Sequence, residues 1–592
     1  MALDVPRSNE APPLAPEVIQ SLFHRRLLIG TLAVALAAIL AAWLVSILAV
    51  NGFDIIDAII VLAFLIYSPW LVIWPLTSLL GLFLLNATEN PIARILLGVK
   101  LPKGDEPIVL RNAIVMTVRN EDPAAALAHL KATLASLQET GESKHFHYFV
   151  LSDSTLPELI RAEEKAVAAL RAEVAGKAEL FYRRRTTNEG FKAGNVRDFC
   201  ERWGNDYDVM LLLDADSIMR GELIVRLTRV MQVNPRIGIL QSLTVGLPTS
   251  AFLARVFQFG HRVGSRCFIT GALWWQGDCC NFWGHNALIR LRPFIEHCRM
   301  PRLSGDPPFG GDIIGHDQIE AAFMRRAGYE LRVWPEQGGS YEGNPPRLTE
   351  MVQRTSRWCQ GNFQNLRLLT APGLVPMSRF HLLFIADQNF GSPAIVTLVI
   401  AAAVAAALWR DDAAFPAASA LALYVTCVLL YLTPRLTGLA DIAIRSATQF
   451  GGAGRLLLGG LIEIVLTILL VPLSMFMSAF STAVLLLKRT MHWEAQDRST
   501  RGLAWKDAIA SFWIPTAFGL AILLFLYAFK PDAIPLFLPF LSGLLLSVPF
   551  AVATSLPEVG ALTVRWGLCA VPEEIDPPVE IRPVLSMLVH EA

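Results

Sequence analysis

Runs free of Asp, Glu, Lys and Arg occupy both ends of this chain. Leu27–Val50 and Ala58–Leu85 lie near the N-terminus, and Gln388–Trp409, Ala413–Pro434, Ala508–Phe529 and Ala533–Leu556 lie in the C-terminal half. A helix needs ~20 apolar residues to cross the hydrocarbon core, so each run is long enough to span. A further stretch, Leu456–Leu487, holds one charge, Glu463, and has Pro472 near its middle. Proline inside a helix removes a hydrogen bond and kinks it, so this stretch reads as two short crossings hinged at Pro472. About eight spans result. The count suits the basic flanks: His24-Arg25-Arg26 precedes the first span, and Lys488, Arg489, Arg498, Arg501 and Lys506 follow the kinked stretch. Both lie on the cytoplasmic side only if an even number of crossings separates them. Glu463 is costly in lipid and is expected either to line a path for product or to sit near the interface. The first apolar run is too long for a signal-peptide core and is expected to remain in the mature protein.

The polar block Asn86–Asp387 has a different period. Apolar strand-like runs alternate with helical patterns: 113–118 then 123–138, 146–151 then 156–174, 180–182 then 193–203, and 209–213 then 221–232. Such alternation predicts a parallel sheet wrapped by helices, in which ligands bind beyond the carboxyl ends of the strands. The division expected is a tail over 1–26, two transmembrane helices over 27–86, a cytoplasmic domain over 87–387, about six further helices over 388–556 and a second tail over 557–592. Both tails, polar and rich in proline, are expected to be mobile and cytoplasmic.

Composition agrees with a membrane class: 53% of the 592 residues are hydrophobic and 17% charged. Formal charge is zero, so nothing points to nucleic acid. The eight cysteines have no C-x-x-C spacing and read as reduced and structural.

Candidate chemistry lies at the strand ends. Met210-Leu211-Leu212-Leu213-Asp214-Ala215-Asp216 closes an apolar strand with two carboxylates one residue apart, suited to a hard cation such as Mg²⁺ or Mn²⁺ that bridges to phosphates. Taken alone it fits a solvated strand end as well. Arg119-Asn120-Glu121-Asp122, Ser152-Asp153-Ser154 and Asn188-Glu189-Gly190-Phe191-Lys192 mark three other ends on the same rim. Each by itself suits a loop or helix cap. Downstream, Gly315-His316-Asp317 opens an amphipathic helix, where Asp317 is either a cap or a functional carboxylate. Arg354 and Arg357 share a helical face beside Trp358; an arginine fork suits a diphosphate and an indole suits a sugar ring, although a solvated helix face fits too.

The ordered set Asp153, Asp214-x-Asp216, Asp317 and Arg354-x-x-Arg357-Trp358 resembles the D, D-x-D, D, Q/R-x-x-R-W signature of processive family 2 glycosyltransferases, the group of cellulose, chitin and hyaluronan synthases. Gly315-His316-Asp317-Gln318-Ile319-Glu320, Gly339-Ser340-Tyr341-Glu342 and Arg357-Trp358-Cys359-Gln360-Gly361-Asn362 are similar, within it, to the glucosyltransferase H group of osmoregulated periplasmic glucan biosynthesis. The resemblance implies a GT-A domain, a UDP-glucose donor and an inverting reaction that builds a β-glucan, by implication β-1,2-linked. It implies that Asn120, Glu121, Asp153, Lys192, Asp214, Arg354 and Arg357 hold the donor and that Asp214 and Asp216 hold the metal. Asp317 is then the base, and Trp358, Trp283 and His285 face the acceptor. It also implies a bacterial inner-membrane location, a gate over Lys488–Trp505, and as partners an acyl carrier protein and a periplasmic glucan-handling protein. Two positions depart from the cellulose synthase pattern, Arg354 in place of Gln and Ser217 in place of a metal-binding His. No regulatory domain is expected after the last span. A polysaccharide or lipid transporter without transferase activity, and a non-processive transferase, are the competing readings.

Overall fold

The computed structural model describes residues 14–409, 415–487 and 502–585. Two long helices, α1 (Pro16–Leu48) and α2 (Ile55–Ala87), and the short α3 (Pro91–Ile95) lead into an α/β domain. Its first half runs β1 (Asn112–Val118), α4 (Pro123–Glu139), β2 (Phe146–Ser152), α5 (Pro157–Glu173), β3 (Leu180–Arg184), α6 (Phe191–Trp203), β4 (Val209–Asp214), β5 (Ile218–Met219) and α7 (Gly221–Val233). Its second half runs β6 (Ile237–Gly246), α8 (Phe252–Gln276), β7 (Ala287–Arg290), α9 (Leu291–His297), α10 (Asp317–Arg326), β8 (Glu330–Glu342), α11 (Leu348–Leu368) and α12 (Pro376–Ala386). Then come α13 (Gln388–Leu408), α14 (Ala417–Arg445), α15 (Ala453–Leu486), α16 (Trp505–Phe529), α17 (Ile534–Leu545), α18 (Ser547–Ser555), α19 (Pro557–Trp566) and α20 (Pro572–Ile575).

Proline opens α4, α5 and α12, where its fixed φ suits the first turn and its missing N–H is no loss. The sheet order is β3-β2-β1-β4-β7-β6-β8-β5. β1 to β4 are parallel, as the alternating pattern predicts, but β7 runs antiparallel to β4 and β6, and β5 antiparallel to β8. The sheet is therefore mixed. Both faces are covered: Ile114, Met116, Leu211 and Leu213 pack into one apolar cluster, while Ala113, Val115, Met210 and Leu212 pack into the other. That burial explains why these strands read as continuous apolar runs.

Among the described residues six helices are long and apolar enough to cross a membrane: α1, α2, α13, α14, α15 and α16. A seventh candidate is a pair bent by 52°, Pro531–Leu545 with Ser547–Ser555. The reading of 456–487 as two crossings is corrected, because α15 is one continuous helix of 34 residues through Pro472. The ring costs one backbone bond, yet the helix continues on either side, with Pro472 and Leu473 both buried. Near its start, Glu463 accepts from Arg435 Nε of α14 at 2.7 Å and from Thr467 Oγ1 at 2.9 Å. This pairing satisfies the intramembrane carboxylate within protein. Near the other end, Ser481 bonds Ser356 of α11 at 2.7 Å. Most of the expected gate, residues 488–501, lies outside the described residues.

The ends are not loose where they are described. α1 begins at Pro16, and residues 557–585 fold back onto the domain: Glu573 and Glu574 pair with Arg262 and Arg255 of α8, while Glu580 accepts from Arg220 at 2.8 Å and from the Tyr341 hydroxyl at 3.1 Å. The expectation of mobile tails fails here, because acidic residues that look solvated in sequence pair with Arg255, Arg262 and Arg220 of the domain.

α8 joins the domain to the membrane helices. A Cβ at Gly81 of α2 would lie 1.7 Å from the Cys267 carbonyl oxygen, one at Gly271 1.9 Å from that of Thr77, and one at Gly438 of α14 2.2 Å from that of Val263. No side chain fits these contacts. Gly81→Ala is expected to cost ~1–3 kcal/mol as an overpacked contact, seen as a lower thermal midpoint in detergent, whereas Gly30→Ala, with nothing within 4 Å, should leave it near the parent value; equal midpoints would refute this role for Gly81.

Candidate active site

Beyond the carboxyl end of β4 the chain brings together side chains from six elements. Asp214 closes the strand, pairs with Lys192 of α6, and takes a long bond from Thr117 Oγ1 at 3.4 Å. Lys192 also donates to the Gly284 carbonyl at 2.8 Å, which ties the loop before β7 to the rim. Asp216 accepts from the Gly343 N–H at 3.2 Å, just past β8. His285 Nε2 lies 3.2 Å from Glu342 Oε2 at the end of that strand. Asp317, the first residue of α10, stands beside Gly284, where a Cβ would meet the Asp317 Cβ at 3.3 Å. Gly284 has φ of +81°, so both its conformation and its surroundings call for glycine.

Electrostatics bind this set. Burial raises the Asp214 pKa, but Lys192 and then His285 outweigh it and hold the carboxyl below its usual range. Burial would lower His285, yet Glu342 and Asp214 raise it on balance. Glu342 is itself pushed up, by burial first and also by Asp216 and Asp214, although His285 opposes this. Both partners of the pair thus move upward. The upward direction for the imidazole is the one that carries the pair, because Glu342, Asp214 and Asp216 all face that ring.

α11 closes one side. The Arg354 guanidinium stacks over the Trp358 ring at 5.0 Å, and its Nε is buried with no hydrogen-bond partner among the described residues. Burial lowers the Arg354 pKa, against the pull of Glu342 and Asp216. Arg357 lies one turn on, its pKa lowered by burial and then by Arg354. Trp358 is 53% exposed, a large ring open to a ligand.

The remaining sequence candidates fall into a second group at the ends of β1 and β2. Asn120, at φ of +58°, donates its N–H to Ser154 Oγ and accepts on Oδ1 from Thr155 N–H at 2.8 Å and Leu156 N–H at 3.2 Å, locking the two strand ends together. Glu121 accepts from the Arg119 N–H. Asp153 is buried and held by both arms of Arg185, at 2.8 and 2.6 Å. Asn188 donates to the Asp153 carbonyl at 2.7 Å, so the group is continuous with α6 and Lys192. Trp283 is half-buried, packed against the cluster of Ile95, Leu243, Leu273 and Cys280. The N-cap of α10 is His316, which makes no side-chain cap hydrogen bond, and Asp317 is the first residue of the helix.

Sequence reasoning assigned no role to Glu342, Arg185 or the Gly343 amide. Glu342 also closes a strand, but the polar run Glu336 to Ser340 ahead of it hides the apolar-to-polar junction that marks the Asp-x-Asp pair. Arg185 is the last of three successive arginines, and nothing local marks it as the one that meets Asp153. Asp214 and Asp216 fit a divalent cation by donor chemistry: both offer hard oxygen ligands at one strand end, and Lys192 already sits against Asp214 as a counter-charge.

Two family models match. One, described as Glycosyl transferase family group 2, covers residues 209–529, and another, Glycosyl transferase family 2, covers residues 113–298. Among curated relatives, the protein named Glucans biosynthesis glucosyltransferase H of Xanthomonas campestris pv. campestris (strain B100) is 35% identical over 559 residues, 92% of this chain and 86% of its own length. The proteins of that name from Xylella fastidiosa (strain 9a5c) and Caulobacter vibrioides (strain NA1000 / CB15N) are each 34% identical over 593 residues, spanning 97% and 96% of this chain and 91% and 88% of their own. A solved mannosyltransferase from Pyrobaculum calidifontis, in complex with GDP-Man and Mn²⁺, overlaps 66% of this chain and 99% of its own at 16% identity, with a TM-score of 0.44. The strand-end rim, the α/β domain set among membrane helices and relatedness over nine-tenths of the length agree: the chain belongs to the Glucans biosynthesis glucosyltransferase H family of membrane-bound family 2 glycosyltransferases, which transfer a sugar from a nucleotide-sugar donor to an acceptor and release the nucleotide.

Proposed function

We propose that this glucosyltransferase takes glucose from UDP-glucose, adds it with inversion to a growing β-glucan, by resemblance β-1,2-linked, and passes the chain between its membrane helices. The observation that carries the reading is the meeting of Lys192–Asp214, Asp216, His285–Glu342 and Asp317 beside the Arg354–Trp358 face of α11. Asp214 and Asp216 would hold a divalent cation, Mg²⁺ or Mn²⁺, which when bound neutralises the donor diphosphate. Lys192, Arg354 and Arg357 supply further positive charge for those phosphates. Asn120, Glu121 and Asp153 form the nucleoside side, with Arg185 fixing Asp153 in place. Trp358 stacks the terminal sugar of the acceptor, and His285 borders the same space. Trp283 supports that loop from beneath, through its packing.

In this reading Asp317 takes the proton from the acceptor hydroxyl as it attacks the anomeric carbon from the face opposite UDP. One carboxylate suffices for inversion. Asp317 stands at the N-terminus of α10, where unpaired backbone N–H groups face a carboxylate. The transferase domain and both chain ends lie in the cytoplasm of a bacterial inner membrane, following the basic flank of α1. An acyl carrier protein on that side and a periplasmic glucan-handling protein on the other complete the proposal by resemblance; co-purification from native membranes with neither would remove both.

Turnover of labelled UDP-glucose by the purified chain, with linkage and length analysis of the product, is the direct test; no UDP release from this donor, or single-sugar products alone, would reject the reading. Asp317→Asn is expected to lower glucan synthesis ~10²- to 10⁴-fold while UDP still binds by calorimetry, and near-parent synthesis would rule out the base assignment. Chelation should abolish turnover, and added Mg²⁺ or Mn²⁺ should restore it; turnover indifferent to chelator would remove the cation from the site.

A further inference from the structure

A second polar recess lies away from the transferase rim, at the level where α1 enters the membrane. It is a groove of about 520 Å³ between α1, α3 and α8. Glu17, Gln20, Ser21, His24, Arg25 and Leu28 line it from α1. Their spacing of three and four residues makes them one continuous helical stripe. Arg94 of α3 and Trp274 of α8 form the opposite wall.

The chemistry changes along this stripe. Arg25 lies over the Trp274 ring at 4.6 Å and donates through Nη1 to the Trp274 and Arg94 carbonyls, both at 3.0 Å. Among the described residues no ion pair involves Arg25 or Arg94, and both line this groove, with Arg25 reaching the Arg94 backbone. Two cations that repel each other across an open groove form a receptor for a doubly contacted anion. His24 stands beside them, and Glu17 lies two turns away, on the side remote from the bilayer. Toward the bilayer the stripe turns aliphatic: Leu28 and Leu32 are 49% and 44% exposed, within the charge-free run that begins at Leu27. A tryptophan at the same level is the usual interfacial residue.

We propose that this groove binds the phosphodiester head group of an anionic phospholipid from the leaflet on the transferase side, with Arg25 and Arg94 on the phosphate and an acyl chain along Leu28 and Leu32. A soluble phosphate shares the charge but has no use for the aliphatic stripe, which favours the lipid. The inference is independent of the donor and linkage proposed above. Occupancy also bears on the transferase loop, because Arg25 and Arg26 together bond the last carbonyls of α8, Trp274 to Gln276, immediately before the turn that leads to His285.

The test uses the full chain in a zwitterionic detergent, with its thermal midpoint followed during titration with short-chain phosphatidylglycerol, short-chain phosphatidylcholine or inorganic phosphate. Phosphatidylglycerol should stabilise the parent protein at a lower concentration than phosphatidylcholine. Arg94→Glu should need at least about tenfold more phosphatidylglycerol for the same shift, with the phosphatidylcholine response unchanged. Gln20→Glu places a negative charge at an exposed position in the groove and should act alike, so it decides the matter should Arg94→Glu fail to fold. Parent-like responses from the folded variants would overturn the proposal, and so would a full shift with inorganic phosphate alone, which would make the groove a site for a soluble anion.

Discussion

The backbone contact of α8 with α2 and α14 is the constraint on which the rest of the molecule depends. Where Gly81, Gly271 and Gly438 let carbonyls approach the neighbouring helix, the transferase domain becomes continuous with the membrane helices. Close approach of small residues is the means by which helices associate in lipid, where the hydrophobic effect gives little help. α8 then ends at Gln276, and the next charged residue, Asp278, is gripped from both sides: by Arg26 of α1 at 2.5 Å and by Arg325 of α10 at 2.7 Å. Burial raises the Asp278 pKa, but the two arginines more than reverse this, so the carboxylate stays charged and paired. The helix that begins with Asp317 is thereby referenced to the first membrane helix through a single buried carboxylate.

The rim solves a charge problem. Asp214, Asp216, Glu342 and Asp317 converge where a diphosphate is also to be received, and carboxylates alone would repel it. Lys192 on Asp214, His285 on Glu342 and the arginines of α11 offset them, leaving a site whose charge is nearly balanced and whose partners can be exchanged when ligand arrives. The C-terminal segment adds support from behind. Glu580 holds Tyr341 and Arg220, residues on either side of the β5–β8 pairing, and so braces the two strands that carry Asp216 and Glu342 toward the rim.

Local patterns carried much of this architecture. The alternation from 113 to 232 matches β1 to α7 within a few residues, because buried parallel strands and amphipathic helices write distinct periods into the chain. The long apolar runs became α1, α2, α13, α14 and α16 for the same reason. The carboxylates Asp214, Asp216 and Asp317 were legible because each stands at an abrupt junction between an apolar run and a polar turn. The second half of the sheet was harder: β7 is four residues long and reverses direction, and no period develops over so short a strand.

Contacts between residues far apart in the chain leave no such trace. Whether Pro472 divides α15 depends on what packs around it, and whether Glu573, Glu574 and Glu580 wave in solvent depends on arginines more than two hundred residues away. The same holds for Arg185 meeting Asp153, for the half-burial of Trp283 against the exposure of Trp358, and for the recess between Arg25 and Arg94. Residue type and spacing are properties of neighbours along the chain, and they specified the class of the protein, its elements and the chemistry at its strand ends. Partnership and burial arise from packing across the fold, and these assigned each charged or aromatic side chain to a ligand, a strut or the core.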